Sequence, residues 1–281
     1  MVQILDGSAC SKEILNDIKL KVAKMAKKPS LAVILVGEDP ASQIYVRNKE
    51  KTAKELGFIS KTFKMKENTS ANELKDLILN LNLDEDTDAV LLQLPLPKHL
   101  CARDFIELIN PRKDVDGFHP INTGRLMSNS NPYALSCTPK GIIRLLKKYN
   151  VEFEGKNAVV IGRSNMVGKP LAQMLLNENA TVTVAHSKTR NLAQIASSAD
   201  ILISAAGVGG LIGKDFVKNG AIVVDVGIVR DENGKIKGDV NFEEVSQIAS
   251  LITPVPGGVG PMTIAMLMEN TLELSIKNAK F

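Results

Sequence analysis

Short apolar runs of strand length alternate with helix-patterned stretches along most of this chain, and few folds accept such a pattern. Residues 31–36, 88–94, 158–161, 181–185, 201–204 and 221–226 are the clearest runs. Each is too short for a core helix, and a near-continuous apolar run suits a strand covered on both faces by crossover helices. The expectation is an α/β fold built from parallel βαβ units. Helix starts fall where that reading needs them. Asp39 is placed to cap a helix whose first position is Pro40. Ser70 with Glu73 reads as a capping box opening a helix through Leu81, and Thr138-Pro139 opens another to about Tyr149. A further strand surrounds residues 62–65, and a last helix starts near Pro261.

At 281 residues, the chain has length for two α/β domains. Residues 111–133 are rich in Pro, Gly and Asn and read as a linker or crossing segment. A formal net charge of +4 fits an anionic small molecule. It is too weak for a nucleic-acid partner, and no basic block with interleaved aromatics appears. Cys10, Cys101 and Cys137 are odd in number and widely spaced, which is neither a disulfide framework nor a zinc pattern. His99, His119 and His186 likewise lack ligand spacing, so no metal is expected. No basic-then-apolar leader opens the sequence and no apolar run reaches membrane length, so a cytoplasmic protein with no membrane partner is expected.

Residues 159–168 form a strand, a turn and the start of a helix, where a Rossmann fold grips a pyrophosphate. Gly162 permits a tight turn, Gly168 permits close packing, and the helix N-terminus supplies unsatisfied N–H groups. Ser164 stands at the middle glycine position of the usual G-x-G-x-x-G, so a generic βα loop remains an alternative. The next strand ends Val184-Ala185-His186-Ser187-Lys188 without the carboxylate that would hold an NAD ribose. A hydroxyl and a cation there, with Arg163 in the first loop, suit a 2′-phosphate, which favours NADP. A solvated polar loop is the ordinary alternative.

In a helix over residues 40–57, Tyr45, Lys49, Ala53 and Leu56 fall within roughly 80° on one stripe at about 100° per residue. Arg47, Glu50, Lys51 and Lys54 lie opposite, so Lys49 alone among the basic residues shares the tyrosine-bearing apolar stripe. It is either a lysine snorkelling from the core edge or one withdrawn from water to work as a general base. Gln93 ends an apolar strand at the carboxyl rim, where ligands of parallel sheets gather. Asp114-Val115-Asp116-Gly117 offers two carboxylates on one side of an extended segment, able to bind an amino-substituted heterocycle, or else forms an ordinary Asp-Gly turn. Gly257, Gly258 and Gly260 precede the last helix, so that backbone can approach a flat ligand closely, or merely make a flexible loop.

Taken in order, several segments resemble the methylenetetrahydrofolate dehydrogenase/cyclohydrolase family. They are residues 42–49, with Tyr45 and Lys49; Leu92-Gln93-Leu94-Pro95-Leu96-Pro97; Lys113-Asp114-Val115-Asp116-Gly117; Cys137-Thr138-Pro139; residues 162–170; Asp225-Val226-Gly227-Ile228; and residues 254–263. The resemblance implies residues 1–118 as a folate-binding catalytic domain and 119–260 as an NADP-binding Rossmann domain, with a C-terminal helix of about 261–281 returning to the first. It implies oxidation of 5,10-methylenetetrahydrofolate by NADP, then hydrolysis of the methenyl cation to 10-formyltetrahydrofolate, in one-carbon metabolism that serves purine biosynthesis. By the same resemblance Lys49 is the cyclohydrolase acid/base, Tyr45 packs on the folate, Gln93 positions Lys49 and Asp116 holds the pterin edge. Gly258, Val259 and Pro261 line the folate cleft, and Gly162, Arg163, Ser164, Ser187 and Ile228 contact the dinucleotide. A homodimer is implied too. Three other readings stand beside it: a dehydrogenase without useful cyclohydrolase activity, a shikimate- or amino-acid-type dehydrogenase, and a module that senses NADP without turnover. The Tyr45/Lys49 stripe and the glycine loop weigh against the second, and Lys49 against the third.

Overall fold

The structure is a computed structural model that describes residues 2–230, 234 and 236–279. The chain forms two compact units, one of Met1–Lys12 with Ser136–Met266 and the other of Glu13–Leu135 with Leu267–Phe281. The expected break is at 118/119, with the last helix in the first domain.

In the Glu13–Leu135 unit three parallel strands lie in the order Ile59–Met65, Ser30–Val36, Ala89–Leu92. The middle strand is buried at every residue, which is why its sequence is an uninterrupted apolar run. Helix Ala71–Leu83 turns Leu74, Ile78 and Leu81 inward onto Ala32, Ile34, Val36, Val90 and Leu92. The expected caps are present. Asp39 Oδ2 accepts from Ser42 N at 2.7 Å, and Ser70 and Glu73 exchange the two bonds of a capping box at 3.3 and 2.8 Å. Such a cap contributes about 1 kcal/mol.

Within the stretch expected as a linker, the structure forms a helix, Pro120–Met127. Pro120 occupies its first turn, His119 Nδ1 accepts from Ile121 N at 3.0 Å, and Asn129 and Asn131 take positive φ just beyond its end. The same Pro and Asn residues that suggest a loop therefore start and stop a helix.

The other unit carries a six-stranded sheet in the order Gln3–Ile4, Leu251–Ile252, Ile222–Asp225, Ile201–Ser204, Asn157–Ile161, Thr181–Ala185. All its pairings are parallel. Strand order reverses at Asn157–Ile161, flanked by the next strand in sequence on one side and by Ile201–Ser204 on the other. The three-stranded sheet reverses in the same way at Ser30–Val36. In open parallel sheets such a switch point, just beyond the carboxyl ends, is where ligands bind.

Candidate active site

Helix Pro40–Glu55 follows the Ser30–Val36 strand, and Gln93 leaves the end of Ala89–Leu92, so both belong to the switch point of the smaller sheet. Gln93 N donates to Ile34 O at 2.9 Å, extending the ladder one residue and fixing where its side chain starts. Lys49 Nζ donates to Gln93 Oε1 at 3.0 Å. Gln93 Nε2 donates to Leu94 O at 2.7 Å. A carbonyl can only accept, so that contact fixes the amide with its oxygen toward the lysine. Gln93 is 9% exposed and Lys49 is half-buried. The structure thus brings these two expected residues together.

Tyr45 requires a correction. The buried line of its helix runs through Ser42, Val46 and Ala53 to Leu56, and Tyr45 is 42% exposed. It sits about 60° round the helix from Ser42, at the edge of the stripe. An exposed ring there can stack on a flat ligand.

The two carboxylates of the Asp114–Gly117 stretch do not form a pair on an extended segment. The chain turns, with Gly117 at φ 67° and its N donating to Asp114 O at 3.3 Å. Asp114 is buried and accepts from His119 N at 2.8 Å and Asn122 Nδ2 at 2.9 Å. Burial pushes its carboxyl up, against the opposing effect of those hydrogen bonds. Asp114 is a fastening of the turn, while Asp116 is half-buried. Asn270 Nδ2 holds the turn from the last helix through Val115 O at 2.8 Å.

At the switch point of the larger sheet, Gly162 has φ 129°, and a Cβ there would run into Ala205 O. A Cβ on Gly168 would run into Gly162 O and lie 2.9 Å from Arg163 Cα. Both glycines are required, as expected for a turn that admits a pyrophosphate. Ser164 Oγ accepts from Val167 N at 3.1 Å and Gly168 N at 3.4 Å, so the residue replacing the middle glycine braces the turn. Arg163 and Ser164 are exposed, and Ile228 is 53% exposed. Beyond Thr181–Ala185, Lys188 N donates to His186 Nδ1 at 3.2 Å and His186 N to Thr189 Oγ1 at 2.9 Å. That tight turn presents Ser187 and Lys188 to solvent. A backbone cradle that a side chain would fill, with hydroxyl and cationic groups on the adjoining rim, fits NADP.

The glycine loop before the last helix is tightly packed. A Cβ on Gly258 would lie 2.6 Å from Pro254 O and 2.8 Å from Thr253 Cβ, and Ser8 N donates to Gly257 O at 2.9 Å. Gly258 and Val259 are buried and Pro261 is half-buried, with the helix Val259–Asn278 opening among them.

No sequence motif marks Asp239, which is buried with Asp225. Burial pushes the Asp225 carboxyl up to about 6, hydrogen bonds from Val240, Asp239 and Gly227 N opposing it and the neighbouring Asp239 charge adding to it. The available signal is a glycine within two residues of an aspartate, in Asp225-Val226-Gly227 and Gly238-Asp239. A cavity of about 400 Å³ opens at the amino ends of the same strands, lined by Ile201, Ile222 and Leu251. It is remote from the carboxyl rim, and its Lys218 is paired with Asp200 at 2.7 Å. Among the described residues, no group of three or more His, Cys, Asp and Glu is arranged to hold a metal. None of the helices there is long and apolar enough to cross a membrane.

A glycine cradle on one parallel sheet and a lysine–glutamine pair on another define a two-unit α/β dinucleotide enzyme. Family models narrow this. Residues 5–116 match the tetrahydrofolate dehydrogenase/cyclohydrolase catalytic domain, and residues 136–279 match the NAD(P)-binding domain of the same family. The chain belongs to the tetrahydrofolate dehydrogenase/cyclohydrolase family. It is 53% identical, over 99% of both chains, to the bifunctional protein FolD of Streptococcus agalactiae. The crystal structure of the bifunctional methylenetetrahydrofolate dehydrogenase/cyclohydrolase FolD from Campylobacter jejuni is similar, with 52% identity and a TM-score of 0.96 over 100% of this chain and 99% of that one. The Trypanosoma brucei enzyme, solved with NADP cofactor and an inhibitor, matches at 37% identity and a TM-score of 0.95, again over 100% and 99%.

Proposed function

We infer that this chain oxidises 5,10-methylenetetrahydrofolate to the methenyl form with NADP and hydrolyses that product to 10-formyltetrahydrofolate. The observation that carries the reading is the Lys49–Gln93 hydrogen bond of 3.0 Å at a switch point, in a chain whose halves match the family's two domains. In the hydrolysis, water adds to the methenyl carbon and gives its proton to Lys49 Nζ. The lysine returns that proton to the ring nitrogen as the C–N bond breaks, and the hydroxyl left on the carbon gives its own proton to solvent as it becomes the formyl carbonyl. Gln93 Oε1 sets the direction of the amine, Tyr45 stacks on the folate, and Asp116 accepts hydrogen bonds from the pterin edge. Gly258, Val259 and Pro261 are further folate contacts. Bound NADP supplies the hydride acceptor. For it, Gly162, Arg163, Ser164, Ser187 and Ile228 supply binding and orientation, the main requirements of a transfer between two flat rings. A homodimer, a cytoplasmic location and a role in supplying one-carbon units for purine biosynthesis complete the proposal.

The test mixes purified protein with methylenetetrahydrofolate and NADP or NAD, following NADPH and the methenyl form separately. The expected result is NADP reduction with a methenyl signal that decays faster than its uncatalysed hydrolysis. Reduction without accelerated decay would favour a dehydrogenase alone. No reduction by folded protein would leave a binding module. The cofactor assignment has its own test. Ser187→Asp should lower kcat/KM for NADP by about ten- to a hundredfold, the worth of one charge-assisted hydrogen bond, and raise the NAD to NADP ratio. An unchanged ratio would remove Ser187 from 2′-phosphate recognition.

A further inference from the structure

Ser204 ends its strand at the switch point of the larger sheet, and the loop it enters passes directly beside the Gly162 turn. Ala205 O occupies the space a Gly162 side chain would need. On its inner side, the loop is gathered by one carboxylate. Asp239 Oδ2 accepts from Ser204 Oγ at 2.9 Å, Ala206 N at 2.8 Å and Gly207 N at 3.2 Å, and Asp239 Oδ1 accepts from Val208 N at 2.8 Å. Three consecutive backbone amides converging on one anion make a concave nest, here filled by a side chain of the protein. Asp239 is 0% exposed, while Gly207 and Val208 face solvent on the other side of the loop.

Asp239 is fixed in turn by Asp225. Asp225 Oδ1 accepts from Asp239 N and Gly227 N, each at 2.9 Å, and Asp225 Oδ2 accepts from Val240 N at 2.9 Å. A Cβ on Gly227 would strike the Asp239 carboxylate, and one on Gly238 would strike that of Asp225. The two acids therefore sit against bare backbone with no slack. Together they tie the loop after Ser204 to the segment Val226–Ile228, which carries the exposed Ile228.

We propose that Asp239, locked by Asp225, is a positioning residue for the dinucleotide, setting the height of the 204–208 loop over the Gly162 turn. The role rests on the function proposed above and adds to it two side chains that need not touch the cofactor. Without the carboxylate, three amides and a hydroxyl lose their acceptor inside the protein, where an unmade hydrogen bond is costly. The loop must then move to find partners, toward solvent or into the cradle.

The two activities separate positioning from simple damage, because the proposed acid/base Lys49 lies in the other unit. In Asp239→Asn, one carboxylate oxygen becomes an NH2 group facing donors. NADP affinity, measured by calorimetry without turnover, should fall at least about tenfold, and KM for NADP should rise with it. Hydrolysis of added methenyltetrahydrofolate should stay within about twofold of wild type. Unchanged NADP affinity, or equal losses in both activities from folded protein, would overturn the proposal. If Asp239→Asn does not fold, Ser204→Ala decides, since it removes one of four donors and adds none. A severalfold weaker NADP affinity with intact hydrolysis supports the role, and wild-type affinity overturns it. Wild-type protein that binds NADP yet oxidises no folate would sink the proposed function while leaving this binding test readable.

Discussion

Lys49→Met should reduce hydrolysis of methenyltetrahydrofolate by about 10²- to 10⁴-fold, the range for loss of a positioned general acid/base, and leave NADP binding unchanged. Methionine keeps the unbranched apolar stem of the lysine without its terminal amine, so helix Pro40–Glu55 retains its packing through Val46 and Ala53. What is lost is the amine and its 3.0 Å bond to Gln93 Oε1. Gln93 keeps its other bond, to Leu94 O at 2.7 Å, so the strand end should not unravel. The measurement is a paired assay on one preparation, following methenyl decay and NADP reduction separately. Full retention of hydrolysis would end the assignment of Lys49. Loss of both activities with an unchanged melting curve would mean that the amine also binds the folate.

Much of this architecture was legible because each local signal has a single physical source. A strand buried on both faces has to be apolar throughout, which made residues 31–36 and 201–204 visible. A cap needs an acceptor three residues before a free N–H, which made Asp39 and Ser70 visible. Helix Gly7–Ala23 was equally readable in principle, since its buried Cys10, Ile14, Ile18 and Val22 recur at helical spacing. Edge strand Gln3–Ile4 was not, because two residues carry no period and its partner Leu251–Ile252 lies far along the chain. Period alone could place Lys49 and Tyr45 near one face but not say which residue marks its centre. Ser42 and Ala53 do, and Tyr45 is left at the margin. Asp225 and Asp239 show the deeper limit. A buried carboxylate is stabilised by donors gathered from remote loops, here Ser204–Val208 for Asp239 and the Asp239 and Val240 amides for Asp225, and no spacing within either aspartate's own segment reports those.

Gly162→Ala should lower NADP affinity, and it should destabilise the protein as well. Alanine at φ 129° stands outside the conformations L residues adopt easily, at about 1–3 kcal/mol. Its Cβ would also overlap Ala205 O, so the loop held by Asp239 or the turn carrying Arg163 has to move. Both flank the cradle, which makes at least about a tenfold rise in the dissociation constant for NADP the expected result, with dehydrogenation falling alongside. Gly155→Ala supplies the control. Gly155 also has a positive φ, 70°, but nothing lies within 4 Å of an added Cβ. It should cost only backbone strain, seen as a drop of a few degrees in the thermal midpoint at about 2–4 °C per kcal/mol, with NADP affinity unaltered. If the two variants melt alike and bind NADP alike, the close approach at Gly162 does not shape the cofactor site. If only Gly162→Ala loses the cofactor, the steric fit of turn and loop, rather than glycine's flexibility, is what the dinucleotide requires.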